Sequence, residues 1–281
     1  MLNNLAPDEI LRKIHNLPSL PGVVLALLAS LGQDDANISE LADKIEQDQA
    51  LAAKTLRLAN SSFYGMAKQV TSIHEAITIL GFRTVRSLAT TAALITAFAG
   101  KSASGFNAMP FWRHSIAAAV CARALASHLP VNPDDAYTAG LLHDIGRLVL
   151  VTQFQSHYEA IMAYRAQHDC TLLAAEQAIL GLDHARVGQV VTQHWKFPVE
   201  LQQALVEHHN LRTESPALLT MVVIAADAIS HALDLSHSED DMVPSVPDGF
   251  WAHLGLDDAT LLSVFKQTEK QFEVVSSVLN P

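Results

Sequence analysis

The sequence predicts an all-α, two-lobed protein, with a helical N-terminal lobe over residues 1–105 and a second helical domain over residues 106–281. Two observations carry this. Apolar residues recur at i, i+3, i+4 and i+7 along most of the chain, the spacing of one face of a 3.6-residue helix, whereas strand-length alternation is not seen. The stripes are also punctuated by residues that open and close helices, with Ser, Asp or Asn ahead of them and Gly behind. With 281 residues, 49% hydrophobic and 17% charged, the chain can bury one sizeable core or two smaller ones without disulfides.

In the first part, Pro21 and Gly22 open a segment in which Val24, Leu27, Leu28 and Leu31 share a face, and Gly32 closes it. Asn37 or Ser39 is expected to cap a helix carrying Leu41 and Ile45. Asp48 caps the next, which runs through Leu51 and Leu58 to the turn Asn60-Ser61-Ser62-Phe63-Tyr64-Gly65. Ser72-Ile73-His74-Glu75 has the capping-box pattern, and its helix presents Ile73, Ile77 and Leu80 before Gly81 stops it. His74 is expected to be exposed there. A longer helix from about Arg83 puts Val85, Leu88, Ala89 and Ala92 on one side and ends near Gly100, with Lys101-Ser102-Ala103-Ser104-Gly105 as the domain boundary.

Charge divides the chain at the same place. Residues 1–105 hold nine Lys/Arg against nine Asp/Glu, and 106–281 hold nine against twenty, which accounts for the whole net charge of −11. Histidine follows, with His15 and His74 in the first part and twelve in the second. An acidic second part without a basic stripe argues against a nucleic-acid backbone as partner. The two cysteines, Cys121 and Cys170, lie within helical patterns and not at zinc or redox spacings, as expected of small core residues in a reducing compartment. The uncharged run Ser87 to Gly100 is 14 residues and includes three threonines, short of the roughly 18 needed to span a bilayer. The start of the chain lacks a signal-peptide profile, so the expected location is cytoplasmic.

The second part places ionisable residues on apolar faces. In a helix from about Pro110, His114 shares a face with Phe111, Ala117, Ala118 and Cys121. An apolar helix then ends in His143-Asp144, a neutral imidazole beside a carboxylate, suited to borderline or hard divalent ions, with Gly146 expected to turn the backbone directly after them. His184, capped by Asp183, stands on the stripe of Val187, Gly188 and Val191. His208 and His209 follow Leu201 and Leu205 at helical offsets. Asp227 lies on a strongly apolar helix opened by Ser215 and Pro216, beside Val223 and Ile224, where a carboxylate needs a cation or several donors. Singly, each reads as a satisfied core residue. Together the seven are more than one ion needs and about what two ions sharing a bridging carboxylate would use. By contrast His128, His157, His168, His194, His231, His237 and His253 are expected at the surface or at helix ends, and Trp195 with Phe197-Pro198 at a helix junction. The final helix puts Leu261, Val264, Phe265 and Phe272 on one face, leaving open whether it packs within the chain or dimerises.

The order His114, His143-Asp144, Asp227 resembles the metal ligands of the HD superfamily of metal-dependent phosphohydrolases, and His184 with His208-His209 resembles the extra ligands of its HD-GYP branch. The whole chain looks most like the HDOD family, the HD-related output domains of bacterial signalling proteins. Leu17-Pro18-Ser19-Leu20-Pro21, the Asn60 to Gly65 turn, the Ile77 to Leu88 segment, Phe111-Trp112-Arg113-His114-Ser115 and His143-Asp144-Ile145-Gly146-Arg147 carry that likeness over residues 17–231. Two departures stand out. Asn210-Leu211-Arg212 follows His208-His209 in place of the Gly-Tyr-Pro of cyclic-di-GMP hydrolysis, and Arg147 stands where HD-GYP enzymes usually carry a lysine, keeping the charge but not giving up its proton as readily.

The resemblance implies an HD-like metal-binding domain holding one or two divalent ions (iron, manganese, magnesium, zinc or nickel) through His114, His143, Asp144, His184, His208, His209 and Asp227. It makes Asp144 and Arg147 the residues for any catalysis. It implies a regulatory role in bacterial signal transduction, or alternatively a metal-dependent phosphohydrolase or phosphodiesterase acting on a nucleotide-type substrate. The expected partner is a signalling protein or a small-molecule or nucleotide signal, not a membrane or nucleic acid, with a homodimer left open.

Overall fold

The computed structural model describes residues 9, 12–14, 21–30, 38–60, 69–98, 106–209, 216–238, 242–246 and 248–279, and these are helices joined by turns and short extended links. In the first part α1 (Gly22–Ala29), α2 (Ile38–Gln47), α3 (Gln49–Ala59), α4 (Ile73–Leu80) and α5 (Phe82–Phe98) follow one another. Asp48 caps α3 by accepting the Leu51 N–H, and Ser72 caps α4 by accepting that of Glu75. Glu75 reaches back one residue further than a capping box requires, to the backbone N–H and hydroxyl of Thr71. Gly81 ends α4 at φ 83°, a left-handed angle that only glycine adopts without strain. Ser39 is the second residue of α2 and so does not cap it; Asn37, the Leu31-Gly32 end, most of the 60–65 turn and the 101–105 boundary lie outside the described residues.

The second part is built around α6 (Ala108–Ala126), opened by Asn107 two residues earlier than the sequence suggests and buried along most of its length. It packs against α7 (Pro133–Leu142), α13 (Leu218–Ala232) and α15 (Asp258–Ser276). Between them run α8 (Ile145–Gln153), α9 (Gln155–His168), α10 (Leu172–Leu180), α11 (His184–His194), α12 (Val199–Glu207) and the short α14 (Phe250–Leu254). α13 begins with Ala217 as its cap, one residue after Pro216, while Ser215 lies outside the described residues. The last helix packs within the chain: α15 lies along α6 with Val264 and Phe272 buried, while Leu262 faces solvent. One apolar cluster runs continuously from Val24 and Leu27 through α5 and α6 to Leu205 and Val278. An ionic cluster crosses the same region: Asp134 Oδ2 lies 3.2 Å from the Arg86 guanidinium, its Oδ1 lies 3.2 Å from Arg123, and Arg86 also donates to the Ser30 carbonyl. Among the described residues no helix is long and apolar enough to cross a membrane.

Two glycines set how closely the helices around His143-Asp144 approach. A Cβ on Gly140 would lie 2.7 Å from the Ala118 carbonyl oxygen, so α7 meets α6 backbone to backbone. Gly146 is not a turn residue: it is the second residue of α8, and a Cβ there would lie 1.9 Å from the His184 carbonyl oxygen and 2.7 Å from the Gly188 nitrogen. The turn before it is made by His143 and Asp144 themselves, between α7 and α8. Gly146→Ala is therefore expected to force α8 from α11 and to lower stability by about 1–3 kcal/mol, the usual cost of overpacking. Chemical denaturation of the metal-free protein measures this; an unchanged midpoint would contradict the close contact.

Candidate metal centre

His114 on α6, His143 and Asp144 between α7 and α8, His184 opening α11, His208 and His209 after α12, and Asp227 on α13 all arrive at one place. His114, His143, Asp144, His184, His208 and Asp227 are buried. The Asp227 carboxylate oxygen Oδ1 stands 3.0 Å from His114 Nε2 and 3.5 Å from His143 Nε2. Asp144 Oδ1 stands 3.0 Å from His184 Nε2 and 3.8 Å from both His143 and His208 Nε2. Its other oxygen accepts from Arg147 at 2.7 Å.

The rings are oriented from behind. His143 Nδ1 is 2.7 Å from the Gly140 carbonyl and His208 Nδ1 is 2.6 Å from that of Leu205; since a carbonyl only accepts, each Nδ1 must carry the proton. His184 Nδ1 donates to Glu176 in the same way, at 2.6 Å. With Nδ1 occupied, Nε2 is the atom each ring turns toward the centre, as a lone pair when the ring is neutral and as an N–H when it is protonated. Nε2 of His114 and His143 are 3.1 Å apart, and Nε2 of His184 and His209 are 2.9 Å apart. Facing lone pairs at such distances repel unless a proton or cation lies between them. His208 Nε2 is buried without a hydrogen-bond partner. Sets of ligand atoms within 4.8 Å of one another comprise Asp144, His184, His208 and His209; His114, His143 and Asp144; and His114, Asp227 and His231. This donor set of imidazoles and carboxylates fits divalent ions, and Asp144 belongs to two of the groups.

Electrostatics agree with the geometry. The Asp144 and Asp227 carboxyls are held well below the usual carboxylate range: burial opposes their ionisation, but the surrounding imidazoles, and Arg147 for Asp144, outweigh it. Burial, reinforced by neighbouring imidazoles, pushes His208 down to about 4 and His209 down to about 2, so both are neutral and ready to ligate at ordinary pH. For His184 burial is overcome by Glu176 and Asp144, which raise it to about 10. An ion must displace that proton, and burial at His143 is likewise overcome by Asp144 and Asp227, so metal uptake at pH 8 is expected to release at least about one proton per chain. Titration calorimetry in buffers of different ionisation enthalpy reads this directly; binding heats independent of buffer would contradict it.

Two members of the cluster escape sequence reasoning. His231, expected at a helix end, puts Nε2 3.3 Å from Asp227 Oδ1, and its ring stacks on that of His114 with centroids 4.2 Å apart. It lies four residues after Asp227 on α13, an offset that could have flagged it. Glu176 is fully buried on α10, inside an apolar run that gives no sign of its role. His74 is exposed as expected, near Asp43 and Glu46. Above the ligands opens a cavity of about 510 Å³ whose lining includes Arg147, Arg165 and Thr171, with Met242, Val243 and Pro244 also contributing.

The HDOD domain family model matches residues 17–211. A crystal structure of an HDOD domain protein of unknown function from Geobacter sulfurreducens superposes with a TM-score of 0.79 at 23% identity, covering 98% of this chain and 99% of that one. One from Shewanella amazonensis, described as a candidate phosphohydrolase, superposes with a TM-score of 0.77 at 26% identity, covering 96% and 97%. An uncharacterised protein of Treponema pallidum is 25% identical over 207 residues, 72% of this chain, which spans 39% of that relative's length.

Proposed function

The chain belongs to the HDOD domain family, and from that premise we propose that it is a metal-holding regulatory module in signal transduction, whose cavity takes a small-molecule or nucleotide signal above one or two divalent ions. The observation that supports this most is the convergence of imidazole Nε2 atoms and carboxylate oxygens at the cavity floor, with His208 Nε2 buried and unpartnered. His114, His143, Asp144, His184, His208, His209 and Asp227 would hold the ions, with His231 beside Asp227. A divalent ion held there would supply charge for a phosphoryl oxygen and would lower the pKa of water.

Arg147, the residue expected to assist a leaving group, is poorly suited to donate a proton. Arg147 is bound to Asp144, and although burial works against its charge, that carboxylate keeps the guanidinium protonated above its ordinary range. It can bind an anion but does not give up a proton. The absence of Gly-Tyr-Pro after His208-His209 points the same way. A second reading, a phosphohydrolase or phosphodiesterase acting on a nucleotide-type substrate, draws support from Arg147 and Arg165 lining the cavity beside the ligands, where they could bind phosphoryl oxygens.

The two separate in one assay. Protein reconstituted with manganese, iron or magnesium is tested against phosphodiesters, phosphomonoesters and cyclic dinucleotides, with the His143→Ala, Asp144→Ala double variant as control. Full metal content with negligible turnover is the expected result. Robust metal-dependent turnover that the control abolishes would overturn the regulatory reading and establish the enzyme.

A further inference from the structure

Glu176 is an odd residue for the place it occupies. It lies on α10 next to buried Ala175 and one turn before buried Leu180, and its side chain has no exposure to solvent. A single oxygen, Oε2, accepts two bonds, from the His184 backbone N–H at 2.9 Å and from His184 Nδ1 at 2.6 Å. The other oxygen, Oε1, has no hydrogen-bond partner. A glutamine could accept the same two bonds through its amide oxygen without burying a charge, so the bonds alone do not account for a carboxylate.

The difference from the neighbouring rings shows what the charge does. His143 and His208 rest on backbone carbonyls, and the nearest group behind His114 Nδ1 is the Ser230 hydroxyl at 3.5 Å. Of these four rings only His184 is backed by a carboxylate. An acceptor of full negative charge behind Nδ1–H fixes the tautomer, locks the ring plane and makes Nε2 a stronger electron donor. The backbone bond to the His184 N–H holds the first residue of α11 against α10 at the same time. Both effects act on the side of the centre formed by Asp144, His184, His208 and His209.

We propose that Glu176 is a positioning residue for the metal centre, which sets the orientation and donor strength of His184 and so makes the Asp144–His184–His208–His209 side the tighter of its two ion positions. This rests on the metal-holding reading above and adds an asymmetry to it.

The test compares Glu176→Gln with wild type and with Leu180→Ala, a buried change on the same helix that leaves His184 untouched. Ion affinities are measured by competition with a chromophoric chelator, using manganese and cobalt, and the cobalt visible spectrum reports the ligand field. Glu176→Gln is expected to weaken the tighter ion by roughly 10- to 100-fold and to shift the cobalt bands, with Leu180→Ala close to wild type in both. Equal affinity of Glu176→Gln and wild type, or an equal loss in Leu180→Ala, would overturn the proposal while leaving the metal centre intact. A wild-type protein that binds neither ion would overturn the metal-holding reading itself, and this proposal with it. Should Glu176→Gln fail to fold, nitrogen-15 histidine spectra of the wild-type metal-free protein decide: a downfield, slowly exchanging His184 Nδ1–H is expected, and its absence would overturn the pairing.

Discussion

Asp227→Asn is expected to strip an ion from the centre and to lower stability by about 3 kcal/mol or more, against a change within about 0.5 kcal/mol for Asp169→Asn on the surface. The Asp227 carboxylate is 3% exposed, and one oxygen, Oδ1, faces His114, His143 and His231 within 3.5 Å. An amide offers that position an oxygen without charge, or an N–H group that cannot ligate an ion. Asp169 is exposed at φ 47°, an angle asparagine tolerates, so it controls for the Asp-to-Asn change itself. In the metal-free protein the effect has a pH signature. Burial raises the Asp227 pKa, but bonds from His114, His143 and His231 outweigh it and hold the carboxyl well below its usual 3.8. A folded-state pKa below the unfolded one contributes stability that is fully present above about pH 5 and is lost as the pH falls through the folded value. Wild type should therefore lose more stability than Asp227→Asn between about pH 5 and pH 2. Metal analysis and denaturation across that range check both parts; equal metal content in the two variants would sink the argument from burial.

The sequence makes this centre legible to the extent that the ligands lie on regular helices. His114 and Asp227 are conspicuous because a helix face that is otherwise Phe, Ala, Cys, Val and Ile leaves an ionisable side chain nowhere to go but inward, and α6 and α13 do bury them. His184 is legible for the same reason, with Asp183 capping α11 as its pattern requires. What periodicity does not convey is which inward faces meet. Gly146 suggests a turn because glycine so often ends helices, whereas its role is the contact between α8 and α11, which exists only once both are packed. His231 has a helical offset from Asp227 but sits one residue before the end of α13 and is partly exposed, so its stripe looks like a helix terminus. Glu176 is hidden more deeply. Nothing local distinguishes a glutamate that reaches eight residues ahead to a histidine from one that faces solvent.

Asp144→Asn is expected to have the largest effect of any single substitution: loss of all bound metal, where Asp227→Asn leaves part of it. Asp144 is common to the group of His184, His208 and His209 and to the group of His114 and His143, whereas Asp227 is grouped with His114 and His231 alone. Its two oxygens divide the work. Oδ1 is the atom nearest the imidazoles, and Oδ2 is engaged by Arg147 at 2.7 Å. An asparagine can turn its oxygen to one side only, and whichever it chooses leaves either the rings without their carboxylate or the guanidinium facing an amide N–H. A partly buried cation left without its carboxylate adds destabilisation in the metal-free chain as well. A double-mutant cycle with Arg147→Ala isolates that part, because the coupling between the two side chains vanishes once either is gone. Metal content near zero in Asp144→Asn, with a positive coupling energy in the cycle, is the expected result. One full ion retained per chain would show that the two groups do not share this carboxylate, and the centre would then be two independent sites with Asp144 belonging to one.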